Sequence, residues 1–401
     1  MGEGFKAITS GTVTSPRGFL AGAVDANIKT PDKLDLALLC SEKPCVAAGV
    51  FTANVIKSAP VILSKRHLKD GKAQAVIVNS GCANACTGDS GMADAIEMAQ
   101  LAAGKLGLSI KDVLIASTGV IGVSLPMEKI RAGVRRIMPV RDGGHELARA
   151  IMTTDTLSKE IAITVESKAG RFTIGGVAKG AGMIHPNMAT LLAFLTTDAA
   201  VEAQFLQSAL QKAVADSFNM VTIDGDTSPS DTVVILANGS AGVANINRSN
   251  GQLFQKGLDE VCLHLAKLIA KDGEGATKSI EVTVEGASSQ AQARLAARTV
   301  VGSSLFKAAM YGNDPNWGRI VAALGRSGAR VNEKKLEVYL NGVCVMKHGA
   351  PIHFDENKMR QSLAGKEIMV RLRLNLGPGK AVSWGCDLSR EYVTINSAYT
   401  S

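Results

Sequence analysis

The chain has 401 residues, 46% of them hydrophobic and 20% charged, so it is long enough for two domains and too apolar to be disordered. Its apolar runs, such as 191–195, are far shorter than the about 18 residues of a membrane span. Basic residues outnumber acidic ones by 44 to 36, but they are scattered and only 4% of residues are aromatic, which argues against nucleic-acid binding. The basic excess favours anionic substrates. The N-terminus lacks a hydrophobic signal core, so we expect a cytoplasmic protein.

The chain contains seven cysteines, an odd number, which we expect to be reduced thiols. Cys82 and Cys86 are four positions apart, but no second close pair and no neighbouring histidine completes a zinc site. We therefore expect no metal ion.

Strand-like and helix-like patterns alternate along the chain, which predicts an α/β fold. Short runs rich in valine and isoleucine predict buried strands at 73–80, 112–118, 172–180 and 231–239. Apolar residues at helical spacing predict helices at 90–106, 127–138, 201–217 and 254–271. Near residue 285 the composition of the sequence changes, and beyond it the pattern predicts a helix at 287–298 and strands at 335–345, 367–375 and 380–388. We expect a large α/β domain over 1–285 and a smaller α+β domain over 286–401.

Two loops superficially resemble ligand sites. KDGEGATKS (271–279) lacks the spacing of a phosphate-binding loop, and it follows a predicted helix instead of preceding one. DGDTSPSDT (224–232) is rich in oxygen atoms but lacks the closing glutamate of a calcium loop. We interpret the second loop as a rigid turn anchored by Pro229.

The segment 179–198, KGAGMIHPNMATLLAFLTTD, is the most informative part of the sequence. Gly180 and Gly182 let the backbone approach another group closely, and the apolar run after Ala189 predicts a buried strand. Thr190 is either a β-branched residue that begins this strand or a nucleophile. Cleavage before Thr190 would free an α-amino group with a pKa near 8 that could serve as its base.

Several blocks in a fixed order resemble the bifunctional ornithine acetyltransferase / glutamate N-acetyltransferase family of arginine biosynthesis. The resemblance runs the length of the chain. Its blocks are GVFTAN (49–54), VNSGCANACTG (78–88), ASTGVIG (116–122), IMTTDT (151–156), KGAGMIHPNMATLLAFLTTDA (179–199), DGDTSPSDT (224–232), DGEGATK (272–278), YGNDPNWGRI (311–320) and INSAYTS (395–401).

The resemblance implies a layered α-β-β-α sandwich, similar to N-terminal-nucleophile hydrolases, with a smaller C-terminal domain. It also implies self-cleavage between Ala189 and Thr190 into chains 1–189 and 190–401, which assemble as an α₂β₂ heterotetramer. Thr190 would accept an acetyl group from N²-acetylornithine and pass it to glutamate in a ping-pong reaction. Acetyl-CoA would be a second donor if the enzyme is bifunctional, and no cofactor is implied.

The resemblance also assigns the site residues. Thr118 and Gly119 match the pair that stabilises the oxyanion. The charge of Lys179 suits a substrate α-carboxylate, and that of Glu274 suits the ammonium group of ornithine. Thr154 remains an alternative to its neighbour Thr153. The substrate-binding set is Thr153, Lys179, Thr190, Glu274, Asn396 and Ser401.

Two other functions remain open at this point. One is a self-processing aminopeptidase or amidase of related fold, in which water replaces glutamate as the acceptor. The other is a non-catalytic small-molecule-binding protein that stays a single chain.

Overall fold

The computed structural model describes residues 4–30, 32–167, 170–185 and 191–398. Within these ranges the chain forms sixteen β-strands in two sheets, together with eleven α-helices. None of the helices in the described ranges has the length and apolar character needed to cross a membrane.

The first sheet has nine strands in the order β1-β6-β7-β8-β10-β3-β4-β5, with β2 also paired to β3. Its strand β8 pairs antiparallel with β7 and parallel with β10, so the apolar run of 191–195 lies in the interior of the sheet. The strands are β1 (Phe5–Ala7), β2 (Phe19–Val24), β3 (Leu36–Phe51), β4 (Lys72–Cys82), β5 (Val113–Val120), β6 (Lys159–Ser167), β7 (Gly170–Lys179), β8 (Leu192–Thr197) and β10 (Thr232–Ala237).

Helices follow the strands closely along the chain, and most bury one apolar face. Helix α2, for example, ends at Gly107, whose positive φ of 67° provides a left-handed C-terminal cap. The helices are α1 (Ala59–His67), α2 (Gly88–Leu106), α3 (Met127–Arg136), α4 (Gly144–Ala150), α5 (Ala203–Asp216), α6 (Gln252–Lys271), α7 (Gln290–Val301), α8 (Ser304–Tyr311), α9 (Trp317–Gly325), α10 (Glu356–Leu363) and α11 (Arg390–Ala398).

Three apolar clusters divide the region of the first sheet into four layers. One cluster lies between two halves of the folded sheet and contains Leu39 of β3 together with Phe194 of β8. A second cluster packs Leu38 and Ile77 against α1, α2 and α3. The third packs β6, β7, β8 and β10 against α5 and α6. The predicted α-β-β-α layering is therefore confirmed.

The second sheet has seven strands in the order β14-β13-β12-β15-β11-β16-β9. Helix α7 packs on β11 and β16, and the core around α6 continues into this sheet. Position 285 lies inside β11, and β9 comes from well before that position. The strands are β9 (Val221–Thr222), β11 (Ser279–Ala287), β12 (Glu337–Leu340), β13 (Val343–Lys347), β14 (Ala350–Pro351), β15 (Glu367–Arg373) and β16 (Gly379–Cys386).

Most of the predicted elements are confirmed, with two exceptions in the C-terminal part. The helix expected at 287–298 begins at Gln290, because Ala287 still belongs to β11. The prediction of a single strand at 335–345 was wrong, because this segment contains two strands, β12 and β13. Asn341 and Gly342 both have positive φ, 46° and 84°, so they form a tight turn between β12 and β13.

The core under α6 gives a first testable prediction. Leu265 is fully buried between α6 and the sheet, so Leu265→Ala should lower the free energy of unfolding by about 2–5 kcal/mol. Leu305 is 65% exposed, and Leu305→Ala should change it by no more than about 0.5 kcal/mol. Urea unfolding of both variants measures the difference, and equal midpoints would contradict the packing described for α6.

Candidate active site

One cavity among the described residues collects loops from distant parts of the chain. The end of β5, the loop before β6, the end of β7, the loop before β10, the loop after α6 and helix α11 all contribute to its wall. The lining residues are Ala83, Thr118, Gly119, Ile121, Thr153, Thr154, Lys179, Gly182, Met183, Ser228, Ser230, Glu274 and Asn396.

The cavity contains every predicted site residue that the structure describes. Thr153 and Thr154 both line it, so the two remain alternatives. Ala189, Thr190 and Ser401, which were also predicted, lie outside the described residues. The predicted residues that meet in the cavity are Thr118, Gly119, Thr153, Lys179, Glu274 and Asn396.

The end of β5 lies against the end of β4 without room for a side chain. Gly119 has a φ of 130°, and a Cβ atom there would lie 2.3 Å from the carbonyl carbon of Gly81. The position therefore requires glycine for both conformation and space. Its neighbour Thr118 lines the cavity, and no described residue accepts a hydrogen bond from the Thr118 hydroxyl. The Thr118 hydroxyl is consequently available to a bound group, and Gly119 lines the cavity beside it.

Lys179, the last residue of β7, places an ammonium group in the cavity wall. The residue is only 3% exposed, and no described residue accepts a hydrogen bond from its Nζ atom. Its nearest ion-pair partner is Asp155, at 4.0 Å between Nζ and Oδ2. Burial lowers the pKa of Lys179, against the opposing effects of the Asp155, Glu274 and Asp231 carboxyl groups. A buried ammonium group without an acceptor is costly, so this cation suits an anionic ligand.

Asp155 lies behind Lys179 and is saturated with hydrogen bonds. Its Oδ1 accepts from Lys159 Nζ at 2.6 Å and from the Gly180 N–H at 2.7 Å, and its Oδ2 accepts from the Thr153 N–H at 3.0 Å. Burial alone would raise the pKa of Asp155, but Lys179, Lys159 and the Gly180 N–H outweigh it and lower the pKa to about 2. Asp155 is therefore ionised and fixes the loop that carries Thr153.

Glu274 contributes a carboxyl group to the wall of the same cavity. Its Oε2 accepts a hydrogen bond from Asn396 Nδ2 at 2.8 Å, and its own N–H donates to the Ala181 carbonyl oxygen at 2.8 Å. A Cβ atom on Gly182 would lie 2.4 Å from the Glu274 carboxyl carbon. The close approach expected at Gly182 is thus an approach to Glu274.

The loop 224–232 contributes more than the turn we predicted. Asp231 is 1% exposed, and its Oδ1 accepts the N–H of Leu191, the residue that follows Thr190, at 3.1 Å. Its Oδ2 has no hydrogen-bond donor among the described residues, and the nearby Thr52 hydroxyl donates to the Ser228 carbonyl oxygen. Burial raises the pKa of Asp231 well above its usual range. The Asp231 side chain therefore holds the start of the strand after Thr190 through the Leu191 N–H.

Sequence reasoning missed several other residues of this region. Ser230 lines the cavity, and its buried hydroxyl has no hydrogen-bond partner among the described residues. Lys29 donates from Nζ to the Met152 carbonyl oxygen at 2.7 Å, beside Thr153, and burial lowers its pKa to about 8. Both residues lie in polar stretches of sequence, 224–232 and 25–33, so neither stands out from its neighbours.

The cavity thus combines a buried cation, a carboxylate and a Thr–Gly pair at the end of a strand. Lys179 and Glu274 together match a small molecule that carries both charges, such as an amino acid. The Thr118–Gly119 pair offers donors for a carbonyl oxygen that becomes negative during acyl transfer. Among the described residues, no cluster of histidine, cysteine or carboxylate side chains could hold a metal ion.

Comparison with known proteins agrees with this chemistry. A family model described as the ArgJ family matches residues 20–401. The arginine biosynthesis bifunctional protein ArgJ of Dehalococcoides mccartyi is 52% identical over 98% of this chain and 98% of its own length. The protein of the same name from Symbiobacterium thermophilum is 50% identical over 97% of this chain and 98% of its own.

A solved structure is also similar. The crystal structure of the arginine biosynthesis bifunctional protein ArgJ from Bacillus halodurans is 41% identical, with a TM-score of 0.50. The match covers 98% of that chain but 51% of this one, so the solved chain corresponds to about half of the present sequence.

The carboxyl group of Asp155 gives a pH-dependent prediction. Its pKa is about 2 in the folded protein, below the ordinary value of 3.8, so its stabilising effect is complete above pH 3.8 and disappears as the pH falls towards 2. This lowering of the Asp155 pKa corresponds to about 2 kcal/mol of the free energy of unfolding. The Asp155→Asn variant should therefore be less stable than the wild type at pH 7. Between pH 4 and pH 2 its free energy of unfolding should decrease less than that of the wild type.

Urea midpoints measured across this pH range provide the test. Asp142→Asn, at an exposed position, is the matched control and should follow the wild-type curve. If Asp155→Asn and wild type lost stability in parallel below pH 4, the ionised state of Asp155 would not contribute as described.

Proposed function

The chain belongs to the ArgJ family, and from that premise we propose that it transfers an acetyl group from N²-acetylornithine to glutamate in arginine biosynthesis. The observation that carries the proposal is the pairing, in one cavity, of a buried ammonium group that lacks an acceptor among the described residues with a carboxylate. Lys179 and Glu274 supply these charges, and the Thr118–Gly119 pair lies in the same wall.

In this proposal Lys179 binds the α-carboxylate of the substrate, because a buried cation gains most from an anionic partner that is also desolvated. Glu274 binds the side-chain ammonium group of ornithine, with Asn396 holding the glutamate in place through its 2.8 Å hydrogen bond. Thr153, or its neighbour Thr154, contributes a hydroxyl to the same cavity. Ser401, which lies outside the described residues, completes the proposed set on the resemblance alone.

We further propose that the chain cleaves itself between Ala189 and Thr190. Two observations support the cleavage. The solved relative corresponds to 51% of this chain over 98% of its own length, as one product of a cut near the middle would. Asp231 holds the N–H of Leu191, so the strand that follows the proposed cut has an anchor independent of the residues before it.

Acetyl transfer then proceeds in two steps. The Thr190 hydroxyl attacks the acetyl carbonyl of N²-acetylornithine while the freed α-amino group of Thr190 takes the hydroxyl proton. Thr118 and Gly119 stabilise the oxyanion, and the C–N bond breaks as ornithine leaves with that proton. The amino group of glutamate next attacks the acetyl-threonine ester, which yields N-acetylglutamate and restores the Thr190 hydroxyl.

These steps use side chains, backbone N–H groups and an α-amino group, so the proposal includes no metal ion or prosthetic group. The word bifunctional in the names of the relatives supports acetyl-CoA as a second acetyl donor. We also propose that chains 1–189 and 190–401 assemble as an α₂β₂ heterotetramer. A cytoplasmic location fits the free thiol state of the seven cysteines.

Steady-state assays with N²-acetylornithine and with acetyl-CoA as separate donors test the proposed reaction. Transfer to glutamate from N²-acetylornithine supports the proposal, and transfer from both donors supports bifunctionality. Release of acetate with no dependence on glutamate would instead indicate a hydrolase of related fold.

The nucleophile gives a direct prediction. Thr190→Ala removes the attacking hydroxyl, so self-cleavage should stop and acetyl transfer should fall by about a thousandfold or more. A denaturing gel measures cleavage, and the assay above measures transfer. Thr30→Ala, at an exposed position, should behave like the wild type. Cleaved or active Thr190→Ala protein would refute the role of Thr190, and uncleaved active wild type would refute self-processing.

The cation gives a second prediction. Lys179→Met removes the proposed partner of the α-carboxylate, so KM for N²-acetylornithine and for glutamate should each rise by about 30-fold or more. Lys271→Met removes an exposed lysine at the end of α6 and should leave both KM values unchanged. If Lys179→Met lowered kcat alone, Lys179 would not be the carboxylate site.

A further inference from the structure

Lys159, the first residue of β6, is a cation that the proposed reaction does not use. Its side chain is completely buried, and its Nζ lies 2.6 Å from Asp155 Oδ1 and 2.5 Å from Asp272 Oδ2. A lysine buried to this degree requires partners of opposite charge, and here it has two carboxylates.

The two carboxylates belong to two loops of the cavity wall. Asp155 accepts the N–H groups of Thr153 and Gly180. Asp272 accepts the N–H of Thr156 at 3.1 Å, as well as its hydroxyl, and it precedes Glu274 by two positions. Lys159 therefore joins the loop that carries Thr153 to the loop that carries Glu274.

Lys159 is bonded to the carboxyl group that lies nearest to Lys179. Both lysines are buried near Asp155, but Lys159 bonds to Asp155 Oδ1 while Lys179 stays 4.0 Å from Asp155 Oδ2. The two lysines and the carboxylates of Asp155 and Asp272 add up to no net charge. Without Lys159, Asp155 and Asp272 would lose the ammonium group that bonds to both, and the strong interaction of poorly screened charges would draw Lys179 to Asp155.

We propose that Lys159 is a positioning residue for substrate recognition: by holding Asp155 and Asp272, it keeps the Lys179 ammonium group free for the α-carboxylate of the substrate. This inference rests on the proposed function, because it takes Lys179 as the carboxylate site. Lys159 does not touch the substrate, and its effect depends on the substrate carrying a negative charge at that point.

The experiment compares N²-acetylornithine with its carboxamide, in which the α-carboxylate is replaced by a neutral group of similar size. In the processed wild-type enzyme, kcat/KM should favour the carboxylate by about 30-fold or more. In Lys159→Met this preference should fall to about threefold or less, through KM more than kcat, because Lys179 is then held by Asp155. Lys159→Arg retains the charge and should retain most of the preference.

The outcomes separate the inference from a purely structural role. A Lys159→Met enzyme that loses activity on both substrates equally, and so keeps the wild-type preference, overturns the inference. If this variant does not fold or cleave itself, Lys159→Gln, whose amide can still donate to Asp155, replaces it in the same comparison with the same expected loss of preference. Retention of the preference by Lys159→Gln likewise overturns the inference.

Lys179→Met is the reference for the proposed function itself. It should abolish the preference whatever the role of Lys159. If Lys179→Met keeps the full preference, the assignment of Lys179 as the carboxylate site fails. If Lys179→Met loses the preference and Lys159→Met keeps it, only the inference about Lys159 fails.

Discussion

A buried ammonium group that lacks an acceptor among the described residues is the constraint on which this site depends. Lys179 lies at the end of a central strand, where water cannot compensate its charge, and the carboxylate nearest to it is already bonded to other donors. Such a group stays charged at little cost only when an anion arrives. Asp155 is bonded to Lys159 and Glu274 to Asn396, so neither carboxyl group offers Lys179 an acceptor within hydrogen-bond distance.

Much of the fold could be predicted because each strand and helix carries its own periodic pattern. The buried runs before Gly81 and Gly119 predicted β4 and β5 at nearly their observed ends. The hairpin at Asn341–Gly342 was missed because the apolar residues on both sides were read as one strand, although an Asn–Gly pair is a strong turn signal. The order of strands in the sheets depends on contacts between distant segments, which no local pattern contains.

Some residues of the candidate site could likewise be predicted from the sequence, and others could not. The resemblance to a family predicted Lys179, Glu274 and Asn396 as site residues, since each is in a recognisable block of sequence, and the three residues line one cavity. Lys159 lies in none of these blocks. Asp231 does lie in one, 224–232, but its role, like that of Lys159, depends on a contact with a distant residue: Leu191 is 40 positions from Asp231, and Asp272 is 113 positions from Lys159. In the sequence both look like ordinary polar residues at the start of a strand, and only their burial and their distant partners show that they matter.

The position of β8 within the first sheet has a consequence for the chain as a whole. Strands β8 and β10, which follow Thr190, lie between β7 and β3, which precede it, and they pair with both. A chain cut before β8 would therefore consist of two polypeptides whose strands lie in a single sheet. The two polypeptides could not dissociate without breaking the hydrogen bonds of both the β7–β8 and the β10–β3 pairs. Such an enzyme folds once as a continuous chain, and afterwards its persistence depends on the barrier to unfolding rather than on an equilibrium between subunits.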